Sequence, residues 1–197
     1  MDFRYFDAAE SEFGWYSEDL IAPTPVECGC CGKIAHCLEG HDSATDASAL
    51  GCLGCLNARK FQIYHETELG RMMDGYQFRK RTGNPFAGEL VETYSDLPDG
   101  FQPSSFDELL QTPYFHYFQN EEWLVHCNDF MVCLGRWKPE DFRNHAEDGD
   151  SDALLKSMTD FDSQVDLQLS DLSNPTYCYV AFRCRHCRKL RGYYDLD

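Results

Sequence analysis

VECGCCGK, residues 26–33, puts three cysteines within four positions, and CLGC, residues 52–55, follows with two more. Cys28, Cys31, Cys52 and Cys55 together give the spacing C-x2-C-x20-C-x2-C, which fits one four-thiolate zinc site. Two thiolates separated by two residues share an ion when the backbone turns tightly between them. Gly32, directly after Cys31, accepts the positive φ that such a turn needs. That selects Cys28 with Cys31 and leaves Cys30 a bystander, while Gly54 keeps the second turn compact. Four thiolates leave an ion no open position, so the site braces the chain and activates no water. The competing readings are buried free cysteines and a thioredoxin-like redox pair, for which the βαβ context is missing.

The rest of the composition frames that site. Apolar residues make up 43% of 197, enough to bury a real interior in one compact α+β domain spanning residues 1–197. No apolar run approaches the roughly 18–20 residues of a membrane span. The opening MDFRYFDAAESEF has neither a basic region nor an apolar run behind it, so we expect a cytoplasmic protein. In a reducing compartment eleven cysteines, an odd number, read as metal or catalysis before disulfides. Acids outnumber Lys and Arg by 34 to 17, a formal charge of −17, which opposes a phosphate-neutralising surface and steers basic partners in. The acids crowd into 1–27 and 139–172, and bases gather at 71–81 and 183–191.

Along the chain we expect a short strand at FRYF and a helix beginning at Leu53 and ending by Gly70. The Gly-, Pro- and Asp-rich run 70–103 reads as a long loop or insertion. SFDE, residues 105–108, has the pattern of a capping box with Ser105 as cap and Glu108 as its partner. The run from Glu121 to Trp137 reads as strand bent at Asn128-Asp129, and SDALLKSM, residues 151–158, as a helix. TYCYVAF and LRGYYDL make a C-terminal β-hairpin with RCRHCRK at its tip. The aromatic run from Pro113 to Trp123 reads as core or a lid, with a recognition surface as the alternative.

The hairpin tip carries a third pair, Cys184 and Cys187, which is half a metal site. The missing ligands are sought first in His126 and Cys127, then in Cys133 and His186. Neighbours on a strand point to opposite faces, so we expect one of His126 and Cys127 to ligate, with Cys127 favoured. A three-ligand zinc site here would leave a position open for hydrolysis, with Asp129 orienting a ligand.

CGCCGK, CLGC, WLVHCNDF…LG and DLSNPTYCYVAFRCRHC, in that order, resemble the CbrC family of bacterial proteins from about residue 26 onward. A glycine usually follows that family's last cysteine; here Arg188 stands there. The resemblance implies a bacterial cytoplasmic protein that protects its cell from a toxin, and it supplies no catalytic residues. The expected function is therefore a non-enzymatic binding protein, monomeric when free, braced by one Zn2+ or by two. Its partner would be a basic toxin domain held on an acidic surface, with Asp148, Asp150 and Asp152 among the contacts. The alternatives are a zinc hydrolase at Cys127, Cys184 and Cys187, and a regulatory or nucleic-acid module on the basic hairpin 183–191.

Overall fold

The computed structural model describes residues 3–17, 23–71, 100–117, 119, 121–159 and 167–196. Helix and strand are mixed, as expected, and the sheets are small. Strands β1 (Val26–Glu27) and β2 (Ile34–Ala35) form a hairpin around the first cysteine cluster. β3 (Cys37–Asp42) then lies between β4 (Ser48–Cys52) and β5 (Phe61–Gln62) in an antiparallel sheet. β6 (Glu66–Thr67) pairs with β7 (Gly70–Arg71), and β8 (Val125–His126) with β9 (Asp129–Phe130). The last sheet runs in the order β10 (Val132–Arg136), β11 (Tyr177–Arg183), β12 (Leu190–Leu196), all antiparallel. Helices α1 (Leu53–Asn57), α2 (Pro103–Leu109), α3 (Pro139–His145) and α4 (Ser151–Met158) complete the described elements, with short 3₁₀ turns at Glu10–Glu12 and Asp171–Ser173.

The C-terminal hairpin forms as expected, and β11 explains why its sequence is apolar throughout. Successive side chains of a strand point to opposite faces. Cys178, Val180 and Phe182 enter one core with Tyr5, Phe115, Trp123 and Phe130. Tyr179 and Ala181 enter a second core with Trp137, Phe142, Leu155 and Met158. A strand covered on both faces has no use for alternating polar residues. The first core extends to Cys28, Cys37 and Cys55, so it packs directly behind the first cysteine cluster.

Several local expectations give way to packing. The helix starting at Leu53 stops at Asn57, because Arg59 turns into the left-handed region at φ 56°. Ile63, His65 and Thr67 are buried while Tyr64 is half-buried and Glu66 exposed, an alternation that a helix lacks and a strand provides. Ser105 does not cap a helix: α2 begins at Pro103, and the Ser105 hydroxyl donates to Asp129 Oδ1 at 2.9 Å. Glu108 instead accepts from Arg59 at 2.9 Å. FRYF makes isolated bridges, Phe3 to Phe6 and Phe6 to Cys133, instead of a strand. The run 70–103 keeps β7 at one edge and the start of α2 at the other; its residues 72–99 lie outside the described residues. Helix α4 stands where expected, with Asp150 accepting from the Ala153 N–H at 2.9 Å as its cap.

Candidate metal centres

Each cysteine pair reaches its place by a different local device. Cys28 and Cys31 sit in the turn between β1 and β2. The Gly32 and Cys31 N–H groups donate to the Cys28 carbonyl at 2.8 and 3.3 Å, and the Cys28 N–H donates to Lys33 at 2.8 Å. Gly32 has φ 69°, the left-handed geometry its position in the sequence requires. Cys52 and Cys55 converge through the first turn of α1 and not through a glycine turn: Cys52 is the residue before the helix, and three residues on lies one turn away. The Gly29 N–H donates to Leu50 at 2.8 Å, and the Cys52 N–H points at the Cys28 sulfur at 3.3 Å, which locks the two pieces together.

The result is a closed cluster. Cys28 and Cys55 sulfurs are 3.7 Å apart, Cys31 and Cys52 sulfurs 3.9 Å, and all four lie within 4.8 Å of one another. A tetrahedral ion with metal–sulfur bonds of about 2.3 Å sets thiolate sulfurs about 3.8 Å apart. The donor set fits such an ion without rearrangement. Burial alone would push the Cys28 thiol up, but N–H groups of Cys52, Cys30 and Cys31 outweigh it and hold the thiol down to about 6, a group ready to ligate. Cys30 and Cys37 lie outside the four-sulfur group; burial and the Cys28 sulfur push their thiols up to about 11 and about 12, and burial pushes the Cys55 thiol up as well.

The second cluster repeats the first turn at the far end of the chain. The Arg188 N–H donates to the Cys184 carbonyl at 3.1 Å, and the Cys184 N–H to Lys189 at 2.8 Å. Arg188 adopts φ 67°, within two degrees of Gly32, so an arginine takes the place a glycine would fill without strain. The remaining donors come from the turn joining β8 to β9. Its central residues, Cys127 and Asn128, both have positive φ, 53° and 58°, the pattern of a tight hairpin turn. The sequence predicts that only one of His126 and Cys127 ligates; here both donors are brought to the same point. Side chains of neighbours diverge on a straight strand, but Cys127 is not on one; the left-handed turn swings its sulfur back beside the imidazole. The bend also falls at Cys127-Asn128, one residue earlier than expected.

His126 Nδ1 lies 3.2 Å from the Cys127 sulfur and 3.4 Å from that of Cys187, and the two sulfurs are 3.8 Å apart. With Cys184, these four donors lie within 4.8 Å of one another, so this cluster too can hold a metal ion. The Lys189 N–H holds the Cys187 thiol below its ordinary range. Cys133, a reserve candidate, is fully buried in the first core, and His186 turns away to Asp129 at 3.1 Å. All eleven cysteines are free thiols.

Asp129 orients no donor; it is a buried junction. Its carboxylate accepts from Tyr5 at 2.6 Å, Ser105 at 2.9 Å, Arg4 at 3.3 Å and His186 at 3.1 Å. Burial alone would raise it, yet the Tyr5, Ser105 and His186 hydrogen bonds and the Arg4 charge together hold it below the usual carboxylate range. It thereby joins the N-terminal segment, α2, the β8–β9 hairpin and the second cysteine turn.

Asp148, Asp150 and Asp152 are all exposed, and each also serves the local backbone: Asp148 accepts from the Asp150 N–H and Asp152 from that of Leu169. Three of the five basic residues at 183–191 face acids, Arg185 standing 3.8 Å from Asp129. Arg183 meets Asp7 at 2.6 Å and Arg191 meets Glu68 at 2.7 Å. No helix among the described residues is long and apolar enough to cross a membrane.

Residues 3–196 match the family described as Uncharacterised protein family (UPF0167). The chain belongs to that family. Both cysteine clusters of this UPF0167 member fall inside the matched span. No solved structure matches the chain.

Proposed function

We propose that this protein is a non-enzymatic binding protein braced by two Zn2+ ions, one in each cluster. The observation that carries the reading is the donor count: each cluster offers four side-chain donors at the spacing of a tetrahedral ion. Sulfur-rich tetrahedral sets favour zinc, and four protein donors leave no position for an attacking water. A zinc hydrolase at Cys127, Cys184 and Cys187 needs a vacancy that His126 fills. A nucleic-acid module on 183–191 would have to rely on Arg188 and Lys189, since Arg183 and Arg191 are paired with acids and Arg185 lies 3.8 Å from Asp129.

The target proposed is a basic antibacterial toxin domain, in keeping with the resemblance to the CbrC family. The −17 charge supports this by speeding encounter with a cationic partner. Asp148, Asp150 and Asp152 are proposed contacts, and the protein acts in the cytoplasm as a monomer when free. The test is co-purification with basic toxin domains, using wild type and the triple variant Asp148→Asn, Asp150→Asn, Asp152→Asn. Asparagine keeps the Asp150 helix cap, so lost retention reports lost charge. Equal retention of both proteins rejects this surface, and no retention of any basic domain rejects the reading.

A further inference from the structure

A cavity of about 630 Å³ opens between the β3–β4 hairpin and the aromatic run that follows α2. It shares no donor with either cysteine cluster. Its walls include Tyr64, Tyr114 and Tyr117, with Glu39 and Glu121 as its carboxylates and neither Lys nor Arg among the lining residues.

The walls are built and not incidental. The Tyr114 ring lies directly on the Gly14 backbone, where a Cβ would come within 1.9 Å, and the Gly14 N–H donates to the Tyr114 carbonyl at 2.9 Å. Tyr64 is held by hydrogen bonds to Asp46 and Gln62. Its ring sits 4.4 Å from that of His41, whose Nδ1 faces the Asp46 carbonyl. Tyr117 stands 6.4 Å from Tyr114 at the rim and is 38% exposed. The Glu121 side chain is 9% exposed, and one oxygen accepts from the fully buried His65 at 2.6 Å. Its other oxygen has no hydrogen bond among the described residues. Burial first, then the carboxylates of Glu121, Glu66, Glu39 and Asp195, push the Tyr117 hydroxyl up.

An aromatic face attracts a cation through its quadrupole, and more strongly when water is excluded. Carboxylates at the same wall supply the counter-charge, and the volume suits a small molecule or one long side chain. We propose that this cavity binds an organic cation, an alkylammonium or guanidinium group, against the tyrosine rings with Glu39 and Glu121 as counter-ions. That cation is either a free amine or a basic side chain of a protein partner. The inference does not depend on the toxin reading, because small cations test it directly.

The experiment titrates the metal-loaded, full-length protein with agmatine and, separately, with a capped arginine tripeptide, following tyrosine ring resonances by NMR. Saturable binding is expected for at least one of them. Tyr117→Ala and Glu39→Gln, both at exposed positions, should each weaken it about tenfold. Glu140→Gln removes one charge from α3, beside the second core, and should change it by about twofold or less. A peptide at least about tenfold tighter than agmatine assigns the site to a partner's side chain; any other order assigns it to a free amine. Absence of saturation with both cations overturns the proposal, as does an equal loss in Glu140→Gln, which would mean attraction by net charge alone.

Discussion

Replacing Asp129 by alanine should cost this protein about 3–6 kcal/mol. The carboxylate is buried and takes two hydroxyl hydrogen bonds from buried groups, Tyr5 at 2.6 Å and Ser105 at 2.9 Å. A hydrogen bond to a charged acceptor contributes about 1.5–3 kcal/mol, and each hydroxyl left behind in the core loses a partner it cannot regain from water. The Arg4 and His186 contacts add little, because both side chains are substantially exposed. The loss is large against the roughly 5–15 kcal/mol that holds a domain together. Urea unfolding of the metal-loaded wild type, Asp129→Ala, Tyr5→Phe and the double variant measures it. The double-mutant cycle should give a Tyr5–Asp129 coupling of about 1.5 kcal/mol or more. Additive losses, or a single-variant loss below about 1 kcal/mol, would refute the claim that Asp129 ties these elements together.

Exhaustive chelation should unfold the protein, because a structural zinc site carries about 10–16 kcal/mol of apparent binding energy; unchanged circular dichroism in metal-free protein would contradict this. Cys28→Ser should leave the second site loaded and halve the metal content measured by elemental analysis. Metal affinity at the first site should fall steadily as pH drops, because binding displaces protons from its thiols, Cys28 held down to about 6 and Cys55 pushed well up by burial; a chromogenic chelator follows it. Arg188→Gly should raise the urea midpoint, since relieving a left-handed arginine returns about 1 kcal/mol before the added chain entropy of glycine is subtracted.

The first cluster was legible because its spacing and Gly32 state the local geometry outright. Strands β11 and β12 were legible for a similar reason: a β-branched and aromatic run admits few other conformations. The second cluster was half legible. Its pair at Cys184 and Cys187 is a local motif, but the convergence of His126 and Cys127 on that pair depends on two left-handed residues, neither of them glycine, so no residue type announces the turn. The helix expected to run on from Leu53 failed for a tertiary reason, since Phe61 and Ile63 gain more from the first core than from helical hydrogen bonds. The tyrosine cavity was only hinted at, by the aromatic run from Pro113 to Trp123 that supplies Tyr114, Tyr117 and Glu121. Its walls come from residues 39–50, 63–64 and 114–121, and their meeting is set by packing between distant segments.

The tie between Tyr5 and Asp129, and that between Asp7 and Arg183, also set an order of assembly during translation. These partners are separated by 124 and 176 residues. At about 5–20 residues per second, the opening segment leaves the ribosome several seconds to about half a minute before its partners are made. The first cysteine cluster, complete once Cys55 has emerged, can close on its ion long before then. A nascent chain is thus expected to complete the first cysteine cluster while its aromatic segment, Phe3 to Phe6, still waits for β9 and β10, which supply Asp129 and Cys133.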